Sequence, residues 1–142
     1  MKRILAGIDG SSEATHAAQQ AADLARATGA QLALVYVVPR RPPPGPETYV
    51  TNDEERREVI EHGYAAALLR DHELLCRRDG LSIDTETRTG PIAETLADVA
   101  EAGKYDLIVV GHRGRGAVTR ALLGSVADRL VQISRHPVLV VR

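Results

Sequence analysis

Aromatic residues are scarce in this chain: they make up 3%, with no Phe and no Trp. The core must therefore be aliphatic and rich in Ala. The same scarcity removes the stacking platforms that hold single-stranded nucleic acid, so no nucleic-acid partner is expected. Cys76 is the only cysteine, which excludes an intrachain disulfide. Neither sign of charge dominates: 18 Lys and Arg stand against 19 Asp and Glu, a net charge of −1. No global field pulls the chain toward DNA or an anionic surface. No apolar run reaches the ~20 residues that a membrane-spanning helix needs. Met1-Lys2-Arg3 resembles the charged start of a signal peptide, but the apolar part that follows is short and meets Asp9 at once. The expectation is a cytoplasmic protein with no membrane partner.

What is present points to one folded domain over residues 1–142. The chain is 44% hydrophobic, which argues against disorder. Ile4 to Ile8 is a short apolar run ending at Asp9, as expected of a strand buried on both faces. Gly10-Ser11-Ser12 breaks it, and either serine can cap a helix. Ala14, Ala17, Ala18, Ala21, Ala22 and Ala25 then recur at helical spacing, a small-residue face that lets a helix lie close to a sheet. Gly29 ends this helix. Leu32 to Val38 is a second buried strand, stopped by Pro39.

Arg40 to Pro46 is proline-rich and reads as a surface excursion or a lid. Asp53 to Asp79 reads as a helix with Val59, Ile60, Tyr64, Ala67, Leu68, Leu74 and Leu75 on its buried side. Leu81 to Arg88 alternates apolar and polar residues, as at a sheet edge. Pro91 stands at the first position of the next helix, whose buried stripe is Ile92, Leu96, Val99 and Ala100. Gly103 ends it. Leu107 to Val110 is a further strand, Val126 to Ser134 a helix, and Val138 to Val141 the last strand. Alternating strands and helices of this kind predict an α/β fold with a doubly wound, five-stranded parallel sheet.

The chain is organised around Gly111 to Val126. Glycines let a backbone approach another group closely. His112, Arg113, Arg115 and Arg120 add positive or protonatable groups. Gly124-Ser125 stands where a helix begins, and a helix start presents free N–H groups and positive partial charge. This combination suits a bound polyphosphate, and the loop follows a strand, where open α/β sheets bind ligands. It is neither a P-loop, which needs Lys before Ser or Thr, nor a dinucleotide fingerprint. Asp9 ends a central strand and should point into the same crevice. There it could accept a ribose hydroxyl, help hold Mg²⁺, or cap the Ala-rich helix.

The remaining histidines offer no metal site. His72 lacks the second His of a zinc helix, and His16, His62 and His136 are expected at the surface. His112 is the exception, close enough to touch phosphate. Cys76 is expected to be buried or partly buried.

The spacing of Gly111, Gly114 and Gly124-Ser125 resembles the Gly-x2-Gly-x9-Gly-Ser/Thr signature of the ATP-binding universal stress proteins. Ile8-Asp9-Gly10-Ser11 and Pro137-Val138-Leu139-Val140-Val141 are similar to that family's opening and closing segments. The resemblance implies strand order 3-2-1-4-5, an adenine nucleotide alpha-hydrolase-like fold, and a homodimer through Val138–Val141. It implies ATP, with Mg²⁺ as the expected companion. Adenine would lie near Asp9 and the Val37 backbone, beside Tyr36, where many members have His. Val110 would line the pocket, Gly111 and Gly114 would approach ribose and phosphate, and Gly124, Ser125 and Val126 would offer N–H groups. Arg113 is assigned to the phosphates by charge and location alone.

The function expected is a nucleotide-dependent regulatory module in stress response, read by an unknown regulatory protein. The alternatives are a slow ATPase or adenylate-handling enzyme, or a nucleotide-free interaction domain. No catalytic residue is evident.

Overall fold

A computed structural model describes residues 1–39, 52–113 and 122–142. The proline-rich segment and Gly114, Arg115 and Arg120 lie outside the described residues. The elements are β1 (Arg3–Ile8), α1 (Ser12–Thr28), β2 (Gln31–Pro39), α2 (Asn52–Cys76), β3 (Ile83–Gly90), α3 (Ile92–Ala102), β4 (Leu107–Gly111), α4 (Ser125–Ile133) and β5 (Val138–Val141). The strands form one parallel sheet in the order β3-β2-β1-β4-β5. Strand β2 stops at proline as expected: Pro39 is its last residue and pairs in register with Gly90.

The two faces follow the period-two geometry of a strand. Even-numbered Ile4, Ala6 and Ile8 of β1, with Leu32, Leu34, Tyr36 and Val38 of β2, pack against the helices α1 and α2. Odd-numbered Leu5, Ala33, Val35 and Val37 pack with α3 and α4 on the other face. Every alanine of the α1 stripe is buried. Ser11 caps α1, accepting the Ala14 amide at 3.0 Å, and Gly29 closes it with φ of 73°. Asp9 is therefore not the cap.

Helix α2 departs from expectation. Val59, Ile60, Ala67, Leu74 and Leu75 face outward, with Val59 72% exposed, whereas Tyr64, though 42% exposed, sets its ring against Tyr36. The buried stripe is Ala65, Leu69, His72 and Cys76, with Leu68 half-buried. The helix stops at Cys76 rather than Asp79. His72 is thus interior. Its Nδ1 meets the Leu68 carbonyl at 2.8 Å and its Nε2 the Thr15 hydroxyl at 3.0 Å, which satisfies both ring nitrogens of a buried imidazole. Burial pushes the Cys76 thiol up to about 11. Strand β3 is an edge strand, but its exposure does not strictly alternate: Thr85 is exposed and Glu86 half-buried. Pro91 is the N-cap of α3, just outside the first helical position.

At the opposite end of the sheet from the β-strand carboxyl termini, Asp106 holds the start of β1. Its carboxylate accepts the Lys2 and Arg3 amides at 2.6 and 2.9 Å. These bonds, chiefly, hold its carboxyl below the ordinary range, and burial opposes them only weakly. A depressed folded-state value means that this stabilisation is complete above the unfolded value of about 3.9 and is lost as pH falls through the lower, folded one. Asp106→Asn should therefore lower the urea midpoint at pH 7. The gap to the native chain should narrow as pH falls below about 3.9 and close once the folded carboxyl is protonated. Urea titrations from pH 7 down into the acid range check this.

Candidate functional site

The carboxyl ends of β1, β2 and β4 open into a small cleft of about 50 Å³ on the α3 and α4 face. Strand parity explains its lining. Gly7 and Asp9 of the β1 end and Val35 and Val37 of β2 are odd-numbered and Val110 of β4 is even-numbered, and all five lie on the face that α3 and α4 cover. Ile92 and Leu96 of α3, and Val126 and Ala127 of α4, form the opposite wall. Gly111, Ala14 and Arg113 lie at the α1 side. The inner part of the cleft is apolar, and charge is confined to its rim.

Asp9 stands on that rim in a fixed pose. Its Oδ1 accepts the Ser11 amide at 2.9 Å and the Ser11 hydroxyl at 2.6 Å. The carboxylate thus shapes the turn that carries the α1 cap, as well as lining the cleft. Gly10 in this turn has φ of 86°, and a Cβ there would lie 2.5 Å from the Tyr64 hydroxyl.

Gly111 is small for a second reason besides ligand approach. A Cβ on it would sit 2.8 Å from the Glu13 carbonyl carbon and 2.9 Å from the Ala14 nitrogen. The bare glycine lets the first turn of α1 rest directly on the end of β4. Arg113 lies over this contact and donates from a guanidinium nitrogen to Glu13 Oε1 at 2.7 Å. Both side chains are only 20% exposed. The other Glu13 oxygen, Oε2, accepts the Ser12 hydroxyl at 3.0 Å. A hydrogen bond from its own backbone amide, then Ser12 and finally Arg113, hold the Glu13 carboxyl below its ordinary value, against the effect of burial.

Helix α4 begins at the cleft wall. Its N-cap, Gly124, has no side chain to bond the first turn. The amides of Ser125, Val126 and Ala127 have no carbonyl four residues back within the helix, and the helix dipole places positive partial charge among them. The Gly124 amide differs from expectation. It donates to the His112 carbonyl at 2.8 Å and so is not free for a ligand. His112 in turn donates its own amide to the Val141 carbonyl at 2.6 Å. Its backbone ties β4, β5 and the start of α4 together. Its side chain is buried rather than placed at the surface.

The structure brings Asp9, Val37, Val110, Gly111, Arg113 and Val126 onto one cleft. Gly124 and Ser125 adjoin it at the start of α4, and Gly114 lies outside the described residues. Tyr36 belongs to the other face. It meets Tyr64 edge-on with ring centroids 6.1 Å apart. Sequence reasoning missed Val35, Ile92, Leu96, Ala127 and Glu13. Two of these carry a readable signal: Val35 shares parity with Val37, and Glu13 stands in the first turn after the β1 loop.

The family model described as the universal stress protein family matches residues 1–142. The chain belongs to the universal stress protein family. Among curated relatives, universal stress protein Sll1654 of Synechocystis is 36% identical over 140 residues, covering 99% of this chain and 85% of that protein. Universal stress protein MJ0531 of Methanocaldococcus jannaschii is 33% identical, covering 99% and 82%. Among solved structures, universal stress protein UspA from Lactobacillus plantarum superposes with a TM-score of 0.83 at 26% identity, covering 99% of this chain and 97% of that one. A universal stress protein solved in complex with cAMP gives 0.76 at 24% identity, covering 99% and 97%. One from Archaeoglobus fulgidus, solved in complex with dAMP, gives 0.67 at 22%, covering 100% and 98%. The fold is the adenine nucleotide alpha-hydrolase-like arrangement of these universal stress proteins, with sheet order 3-2-1-4-5. Among the described residues, no helix is long and apolar enough to cross a membrane, and no group of His, Cys, Asp and Glu could by itself hold a metal ion.

Proposed function

We propose that this universal stress protein binds ATP, with Mg²⁺ on its phosphates, and acts as a nucleotide-dependent regulatory module. One observation carries the reading: an apolar cleft at the strand ends leads to the uncapped start of α4. A flat aromatic base suits the aliphatic wall of Val35, Val37, Val110 and Leu96, and a phosphate tail suits the amides of Ser125 and Val126. Asp9 is the acceptor for ribose or the ligand for Mg²⁺, and Gly111, Arg113 and Gly114 are assigned to the ribose and phosphate side. Gly124 contributes by its position at the cap, since its amide is already used. The solved neighbours with cAMP and dAMP support an adenine nucleotide in this fold.

The regulatory unit in this proposal is a cytoplasmic homodimer whose bound state is read by a partner protein. Strand β5 is the sheet edge, and Leu139 on it is 39% exposed. An apolar edge of this kind favours pairing with a second copy about a twofold axis.

Native mass spectrometry of the purified chain tests ligand and stoichiometry together. The expected spectrum is a dimer carrying adenine nucleotide, with titration heat from Mg-ATP after the ligand is stripped. A ligand-free spectrum, with no heat and no thermal shift at millimolar ATP, would remove the nucleotide reading. A monomer that still binds would remove only the dimer.

A further inference from the structure

We infer that Glu13 is a specificity-determining residue: by holding Arg113, it weakens the site for bare, unchelated polyphosphate relative to neutral nucleoside. The inference rests on the nucleotide reading above and adds the charge selectivity of that site.

The geometry is asymmetric. Helix α1 carries Glu13 in its first turn, directly over Gly111, at the rim where Arg113 lines the cleft. The 2.7 Å contact between Arg113 and Glu13 Oε1 uses the guanidinium, and the Ser12 hydroxyl at 3.0 Å fixes the other carboxylate oxygen. Both partners are mostly shielded, so their charges are less screened by water than those of an open surface pair. The pair is electrically neutral as a unit. A phosphate tail arriving at the start of α4 therefore meets an arginine already engaged by a carboxylate. To donate to phosphate, Arg113 must release or share Glu13, and the unpartnered carboxylate then stands beside another anion.

This cost scales with the charge of the ligand. A neutral nucleoside uses the apolar wall and Asp9 and never needs Arg113. A monophosphate meets part of the cost, and an unchelated triphosphate meets most of it. Chelation by a divalent cation lowers the tail's charge and reduces the conflict.

The test measures Kd for adenosine, AMP and metal-free ATP in EDTA by calorimetry. It uses the native chain, Glu13→Gln, Arg113→Gln and the double variant. Glu13→Gln should tighten metal-free ATP about 5- to 10-fold, AMP less, and adenosine less than about 2-fold. Adding Arg113→Gln to Glu13→Gln should reverse most of that gain, lowering ATP affinity at least about threefold below that of Glu13→Gln, because the freed guanidinium is then gone. The gain should also shrink at high salt. Glu13→Ala, with urea midpoints for all variants, serves as a second probe should the glutamine variant fold poorly. An unchanged ATP-to-adenosine ratio in Glu13→Gln, or no loss of ATP affinity when Arg113→Gln is added to it, overturns the inference while leaving nucleotide binding intact. A native chain that binds none of the three overturns both.

Discussion

Gly111→Val should unfold this protein at a temperature lower by roughly 10 °C. The reason lies in what a new side chain would strike. The Cβ alone would come within 2.8 Å of the Glu13 carbonyl carbon and 2.9 Å of the Ala14 nitrogen. These are backbone atoms of α1, not the ends of flexible side chains, so no rotamer change relieves the clash. Helix α1 is also held by its alanine face, buried along its whole length against the sheet. Lifting its first turn would open that contact. Overpacking a core costs about 1–3 kcal/mol and sometimes more, and a β-branched residue against rigid backbone belongs at the upper end. Gly111→Ala should fall between the two. Thermal unfolding followed by circular dichroism measures the series. An unchanged midpoint would mean that the α1 start is free to move, and would also weaken the fixed Glu13 geometry argued above.

Ser125→Pro should leave the fold almost untouched and reduce nucleotide affinity roughly 100-fold or more, about 3 kcal/mol. Ser125 is the first residue of α4, the helical position where proline is best tolerated. The residue before it, Gly124, has φ of −62° and ψ of 152°, the extended region that a following proline prefers. The substitution therefore removes one amide and one hydroxyl from the proposed phosphate seat without removing a helix bond. Each hydrogen bond to a charged group is worth about 1.5–3 kcal/mol. Ser125→Ala separates the two groups by keeping the amide. Adenosine should bind both variants alike, since it carries no phosphate. If adenosine and ATP lose affinity equally, the start of α4 is not the phosphate seat.

The order of elements was legible because burial is periodic. Apolar runs at β1, β2 and β4 face protein on both sides, and the alanines of α1 recur at one angle around the helix. Helix α2 was misread because apolar residues lie around more than one side of it. Val59, Ile60, Leu74 and Leu75 are the more hydrophobic choices, yet Ala65, Leu69, His72 and Cys76 meet the protein. Which side turns inward depends on the surface opposite. Here that surface includes β2, β3 and α1, and Thr15 of α1 satisfies the imidazole that makes His72 acceptable inside.

The site divides in the same way. Asp9 and Gly111 could be placed because strand ends in an open parallel sheet face one crevice, whereas Val37 and Val110 came only from the family resemblance. The engagement of the Gly124 amide could not, because its acceptor is a carbonyl twelve positions earlier in the chain. Nor could the Arg113–Glu13 pair, whose members are 100 positions apart.

Taken by itself, the amino-acid sequence determined the strands, the helices, their parallel arrangement and the glycine-bearing stretch that meets the sheet's carboxyl edge. Those features follow from local periodicity, turn chemistry and chain connectivity, all of which act over short distances. Only the tertiary structure decided which face of α2 is buried, which amides at the start of α4 stay free, and which anion Arg113 already holds. Hydrogen bonds and ion pairs between remote segments depend on distances of a few ångströms, and those are set when the helices settle on the sheet.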